Sequence, residues 1–88
     1  MRATKEPIMR SLRTARGQLD GIMRMVEEDR YCVDISNQLL ATQALLRKTN
    51  QAVLQAHLEH CVAESLQHGT DVEAKMEEIM LLLNKMTR

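Results

Sequence analysis

Apolar residues recur along this chain at spacings of three, four and seven, the rhythm of helices with one greasy face. From Pro7 to about Asp29 the pattern runs Ile8, Leu12, Leu19, Ile22, Val26. Pro7 suits the first helical turn, where its missing N–H costs nothing. Gly17 and Gly21 interrupt the pattern, each at about 1 kcal/mol against alanine. Four residues apart, they share a face, and close approach of another helix would be a reason to keep them. Arg30 and Tyr31 make a short connection. A second helix is expected from Cys32 to about Gln67, with Ile35, Leu39, Leu46, Val53, Leu58, Val62 and Leu66 on one seam. No Pro or Gly occurs from Arg30 to His68, so nothing stops a helix far longer than the usual ~11–12 residues. Such length implies pairing with another long helix, from a second copy. Gly69 reads as a C-terminal stop. Thr70 and Glu73 then form a capping box, opening a third helix over about 71–86 with Val72, Met76, Ile79, Met80, Leu83 and Met86 on its apolar side.

The expected fold is therefore all-α, one domain over residues 1–88 with three helices. Two copies would complete an antiparallel four-helix bundle from the first two helices of each chain. Composition agrees. The apolar set is Leu, Met, Val, Ile and Ala, Phe and Trp are absent, and Tyr31 is the sole aromatic residue, a palette for helices rather than sheets. Eighty-eight residues bury a smaller fraction of their surface than a large domain does, and two cysteines make at most one bridge, so added stability would have to come from oligomerisation or a metal.

Twelve basic and twelve acidic side chains cancel, but unevenly along the chain. Residues 1–24 carry six basic side chains against two acidic, whereas residues 57–88 carry three against six. A basic first helix facing a polyanion is one reading, and an ordinary solvated face is the other. No apolar run approaches the ~18–20 residues of a membrane span, and no signal-peptide core opens the chain. The expected location is the cytoplasm, where thiols stay reduced and two of them in so small a chain point to metal or redox chemistry.

That chemistry centres on His57 and Cys61, one helical turn apart on one face. Cys32 lies 25 residues before His57, roughly 37 Å away if a single helix joins them. It cannot complete a site in its own chain, but it can in a partner packed antiparallel. Two thiolates and one imidazole suit Cu(I). Zn(II) would want a fourth ligand, and His60, next door to Cys61, diverges from it by about 100°, as consecutive helical residues do. Ni(II) or Co(II) usually takes more nitrogen or oxygen donors. The seven methionines read as core filler. Tyr31 and Glu77 are either ordinary packed and solvated side chains or hydrogen-bonding partners that orient His57. A Cys–His nucleophile would need an oxyanion hole or pocket that nothing here offers, so enzyme chemistry is not expected.

The stretch Arg13-Thr14-Ala15-Arg16-Gly17-Gln18-Leu19-Asp20-Gly21-Ile22, then Tyr31-Cys32-Val33-Asp34, then His57-Leu58-Glu59-His60-Cys61 resembles the copper-sensitive operon repressor (CsoR) family from about Met9 to Met86. In that family, nickel and cobalt sensors tend to exchange one thiol for His, formaldehyde sensors lose the last Cys, and persulfide sensors usually lack the His. The resemblance implies a homotetramer, a dimer of dimers, whose apo form binds operator double-stranded DNA and represses copper export or buffering genes. It implies Cu(I) held by Cys32 of one subunit with His57 and Cys61 of another, and Tyr31 and Glu77 at positions that hydrogen-bond the ligand histidine. One departure stands out. Ser11 and Gln51 occupy positions where relatives often carry arginine, leaving Arg10, Arg13, Arg16, Arg47 and Lys48 to supply the DNA-binding surface. The rival expectations are a persulfide- or nickel-responsive repressor of the same family, or a helical copper-binding protein without a DNA function.

Overall fold

The computed structural model describes residues 1–68 and 72–86, excepting the side chains of residues 61, 62, 65–68, 72 and 86. It is all-α: α1 spans Lys5–Glu27, α2 Cys32–His68 and α3 Val72–Met86. The expected stop at Gly69 and cap at Thr70 fall outside the described residues.

α1 begins two residues before Pro7. Proline is tolerated anywhere in the first turn, because those amides have no intrahelical acceptor in any case. Glu6 in that turn complements the positive end of the helix. At the other end α1 closes two residues earlier than the apolar pattern implies, and the backbone shows why. Asp29 is left-handed, with φ at 52°. Its N–H donates to the Val26 carbonyl at 3.1 Å, and the Arg30 N–H donates to the Met25 carbonyl at 2.9 Å. This crossed pair is the Schellman closure, which places a left-handed residue immediately after the C-cap. Asp fills the position usually given to Gly, as its short polar side chain permits. The chain then turns straight into α2, whose first bond is donated by the Ile35 N–H to the Tyr31 carbonyl at 3.2 Å.

With nothing to break it, α2 runs 37 residues without interruption, about 55 Å at 1.5 Å per residue. It sets the longest dimension of the molecule, which measures 58 × 26 × 12 Å. α1 and α3 each pack antiparallel to α2, toward its two ends, and the shortest dimension leaves room for one layer of helices only. The radius of gyration is 17.7 Å, against about 12 Å for a compact domain of this length. The accessible surface is 6916 Å², where a compact monomer of this mass exposes about 5,300 Å². None of the described helices is long and apolar enough to cross a membrane.

A single layer has no interior. Among the described residues only Ala15, Ile22, Thr42 and Thr49 are buried. The α1–α2 seam is built from Ile8, Ser11, Ala15, Gln18, Ile22 and Met25 against Ile35, Thr42, Leu45 and Thr49. Small side chains (Ser11, Ala15, Thr42, Thr49) alternate there with larger ones such as Ile8, Ile22, Ile35 and Leu45. The threonine hydroxyls are satisfied locally: Thr49 donates to the Leu45 carbonyl at 2.8 Å. Thr42 donates to Gln18 Oε1 at 2.8 Å, with the Gln38 carbonyl at 3.2 Å as its alternative acceptor.

The larger residues of the expected seams mostly lie elsewhere. Leu12 and Leu19 are 42% and 45% exposed, and Val26, Leu39 and Leu46 are exposed too. α1 and α2 thus each carry one broad apolar face, of which the protomer covers one flank and leaves the leucine flank exposed. The glycines do not serve this seam, since nothing lies within 4 Å of a Cβ placed on Gly17, and at Gly21 the nearest atom is Arg24 Nη2 at 3.9 Å. α3 is rotated in the same sense. Lys75, Glu78, Ile79 and Leu82 turn inward, leaving Met76, Met80 and Leu83 exposed.

The left-handed residue at the α1–α2 joint makes a direct prediction. Asp29→Val should lower stability by about 1–2 kcal/mol, because a β-branched side chain is excluded from positive φ, while Asp29→Gly should leave stability equal or higher. Thermal unfolding followed by circular dichroism separates the two.

Candidate metal centre

Cys32 is the first residue of α2, and its thiol is free and exposed. Tyr31, just before it, is also exposed. Because α2 is one helix, Cys32 and His57 are held roughly 37 Å apart in the same chain. Cys61 follows His57 by one turn of the same helix, and its side chain lies outside the described residues. Among the described residues no three His, Cys, Asp or Glu side chains gather as a metal site would require. The three expected donors are therefore split: one at the head of α2, two toward its tail.

His57 sits where α3 folds back over α2. Its Nε2 lies 2.5 Å from Glu78 Oε1, and Lys75 Nζ lies 3.6 Å from the other oxygen, Oε2, of the same carboxylate. The imidazole N–H bonded to Glu78 holds that carboxyl below the usual range. Lys75 acts in the same direction, and desolvation works against both. With Nε2 as the N–H donor, Nδ1 is the ring nitrogen that carries the lone pair for coordination. A ligand histidine ordinarily has its second nitrogen anchored in this way.

The family resemblance implied Glu77 for that anchoring position, which the residues alone left open. In this protomer Glu77 is exposed, lining a shallow hollow on the outer side of α3 with Met76, Met80, Leu81 and Asn84. Glu78, one residue and about 100° further round, is the carboxylate that meets His57. The signal for Glu78 was available in the spacing Lys75, Glu78, Ile79, Leu82, but a charged pair inside a helical stripe reads as solvated. His60 points to a different neighbour, with Nε2 3.6 Å from Glu64 Oε2.

The basic residues occupy the other part of the molecule. Arg10, Arg13, Arg16, Arg47 and Lys48 are all exposed. Lys48 shares a hollow with Pro7, Ile8 and Ser11, so the middle of α2 brings its charge to the first turns of α1. Ser11 and Gln51 are half-buried. Arg13 Nη1 lies 3.4 Å from Glu6 Oε1.

The chain thus places its candidate soft donors at both ends of one long helix and exposed cations along the neighbouring helix. The family model for metal-sensitive transcriptional repressors matches residues 4–85, and the chain belongs to that family. It is 42% identical over 86% of its length to the copper-sensing transcriptional repressor CsoR of Mycobacterium ulcerans (strain Agy99), covering 64% of that protein. It is 39% identical over 96% of its length to CsoR of Bacillus subtilis (strain 168), covering 82%. The chain spans just under two thirds of the mycobacterial CsoR sequences it matches. Among solved structures it resembles the copper-sensing repressor CsoR with Cu(I) from Geobacillus thermodenitrificans NG80-2. There the TM-score is 0.82 at 36% identity, over 100% of this chain and 94% of that one. It shares its fold with the nickel-responsive regulator InrS, at a TM-score of 0.85 and 21% identity, over 98% and 96% of the two chains.

The His57–Glu78 pair predicts that the apo protein holds His57 as the Nε2–H tautomer. Long-range proton–nitrogen spectra of the imidazole should show that form in the parent and in Glu77→Ala, and a tautomer mixture in Glu78→Ala. A mixture already present in the parent would remove Glu78 from this role.

Proposed function

We propose that this chain is a Cu(I)-sensing transcriptional repressor, acting in the cytoplasm as a dimer of dimers. Its apo form holds operator DNA and its copper form releases it, turning on copper export or buffering genes. The observation that carries the reading is the unbroken α2, which separates Cys32 from His57 by a distance no side chain spans. A working site then takes Cys32 from one subunit and His57 and Cys61 from another. The donor set fits the ion: two thiolates and an imidazole with its far nitrogen anchored suit a soft, low-coordinate cation. Cu(I) bound there supplies a bridge between two chains.

The chain's own residues do the rest. Glu78 fixes the ring of His57 and ties α2 to α3. Tyr31 and Glu77 are exposed on the protomer, open to a neighbouring subunit, and we assign them to the hydrogen-bond network around His57 in the assembly. Arg10, Arg13, Arg16, Arg47 and Lys48 meet backbone phosphates, the contacts that supply most of the affinity for DNA. Leu12, Leu19, Leu39 and Leu46, left open by the one-layer protomer, are covered by the second copy. Coupling of the two ligands by about 1–3 kcal/mol would change operator affinity roughly 5- to 150-fold on copper binding.

Mixed oligomers test the site directly. Cys32→Ala and Cys61→Ala proteins, each alone, should lose tight Cu(I) binding in anaerobic competition with a chromophoric chelator. Unfolded together and refolded, they should regain one site per mixed dimer, because one of its two sites then receives all three donors. No recovery would rule out a site shared between chains.

Each single variant on its own, titrated with upstream duplex DNA by fluorescence anisotropy, should bind DNA without releasing it on copper addition. Normal release by either single variant would sink the switch. Ni(II) added in competition should fail to displace Cu(I), and persulfide treatment should not reproduce the DNA release.

A further inference from the structure

We propose that Glu6 sets the DNA affinity of this chain by occupying Arg13 in the free protein, so that a backbone phosphate has to displace it. The inference rests on the DNA-binding reading above. Counting turns of about 100° per residue, the side of α1 away from α2 carries Glu6, Arg10, Arg13 and Arg24, all exposed. Arg13 is the cation on this side already engaged: its Nη1 lies 3.4 Å from Glu6 Oε1, two turns back along the helix. Among the described residues neither Arg10 nor Arg24 has such an ion pair.

A carboxylate and a phosphate offer a guanidinium the same pair of acceptor oxygens, so Glu6 and DNA compete for the same N–H groups. Both partners are well exposed, which makes the pair weak and quick to exchange. It therefore lowers DNA affinity without blocking it.

Competition leaves a signature in the salt dependence. When a phosphate takes Arg13, one counterion leaves the DNA, and the freed Glu6 attracts a cation back. Arg13 then adds little to the salt slope of the parent. With Glu6 neutral it should add up to about 0.9 per engaged copy.

Glu6 also has a structural role at the positive end of α1, where its charge is favourable. The two roles predict opposite signs. If only the helix end matters, neutralising Glu6 leaves DNA binding unchanged or weaker. If Glu6 competes with phosphate, neutralising it tightens binding.

The experiment uses the metal-free full chain, an upstream duplex and an unrelated duplex of equal length, and a series of salt concentrations. Glu6→Gln should bind both duplexes about two- to five-fold more tightly per engaged copy, the range an exposed ion pair implies, with a steeper salt slope and a slightly lower melting temperature. Arg13→Gln should bind more weakly. The double variant should match Arg13→Gln, showing no gain from the loss of Glu6. Lys85→Gln, on α3, serves as the remote control and should match the parent.

Affinity of Glu6→Gln at or below the parent overturns the proposal, as does a gain that persists without Arg13, which would mean general charge rather than competition. If the parent binds neither duplex, the DNA reading falls and this inference with it. If the parent binds and Glu6→Gln gains nothing, the DNA reading stands and Glu6 alone is excluded.

Discussion

The length of α2 governs the rest of the molecule. A helix of 37 residues is a rigid spacer of about 55 Å, and neither Pro nor Gly interrupts it. It holds a free thiol at one end and an imidazole roughly 37 Å away. It also gives α1 and α3 something to pack against while preventing the chain from folding back into a compact unit. The surface excess and the large radius of gyration follow from that one element. A site that needs both ends of α2 has to be completed from outside the chain, so on the proposed reading sensing depends on prior assembly.

The thinness of the protomer explains its core. Two helices whose seam buries only Ala15, Ile22, Thr42 and Thr49 among the described residues take little apolar area out of water. Hydrophobic burial contributes about 25 cal/mol per Å², so this seam cannot hold the chain together by area alone. The hydroxyls of Thr42 and Thr49 fix how α1 lies along α2 without adding much stability. Meanwhile Leu12, Leu19, Leu39 and Leu46 stand in water at a cost that only a covering surface removes. On the proposed reading a second copy supplies that surface and completes the core.

Three helices, their order and the break at Arg30–Tyr31 were legible in the sequence, because helix stops and starts are local chemistry. Which flank turns inward was not. On α1 the seam uses Ile8, Ala15 and Ile22, while Leu12 and Leu19, roughly 20–60° round the same broad face from Ile8 and Ala15, stay exposed. Periodicity picks out the whole face and does not say which flank the neighbouring helix covers. The rotation of α3 turned the expected Glu77 outward and brought Glu78 to His57. Ion pairs such as His57–Glu78 and Arg13–Glu6 depend on orientations that spacing alone does not determine. The separation of Cys32 from His57, by contrast, needed only the count of residues and the absence of a breaker.

On the proposed reading, the way α1 joins α2 links metal sensing to DNA binding. The Schellman turn at Asp29 leaves almost no slack before Cys32, so the C-terminal end of α1 cannot move far without moving that thiol. At the opposite end, Met1 and Arg2, just ahead of α1, line a hollow with Val53, Leu54, His57 and Leu82. The helix bearing Arg10 and Arg13 thus touches both halves of the proposed site, its tail beside Cys32 and its leading arm beside His57. In an antiparallel pair, each site would then abut the tail of one α1 and the arm of the other. Drawing the donors together would displace the ends of two basic helices at once, whereas an isolated surface site would displace neither. The spacing that forbids a site within one chain is the same spacing that would carry its occupancy to the DNA-facing helix.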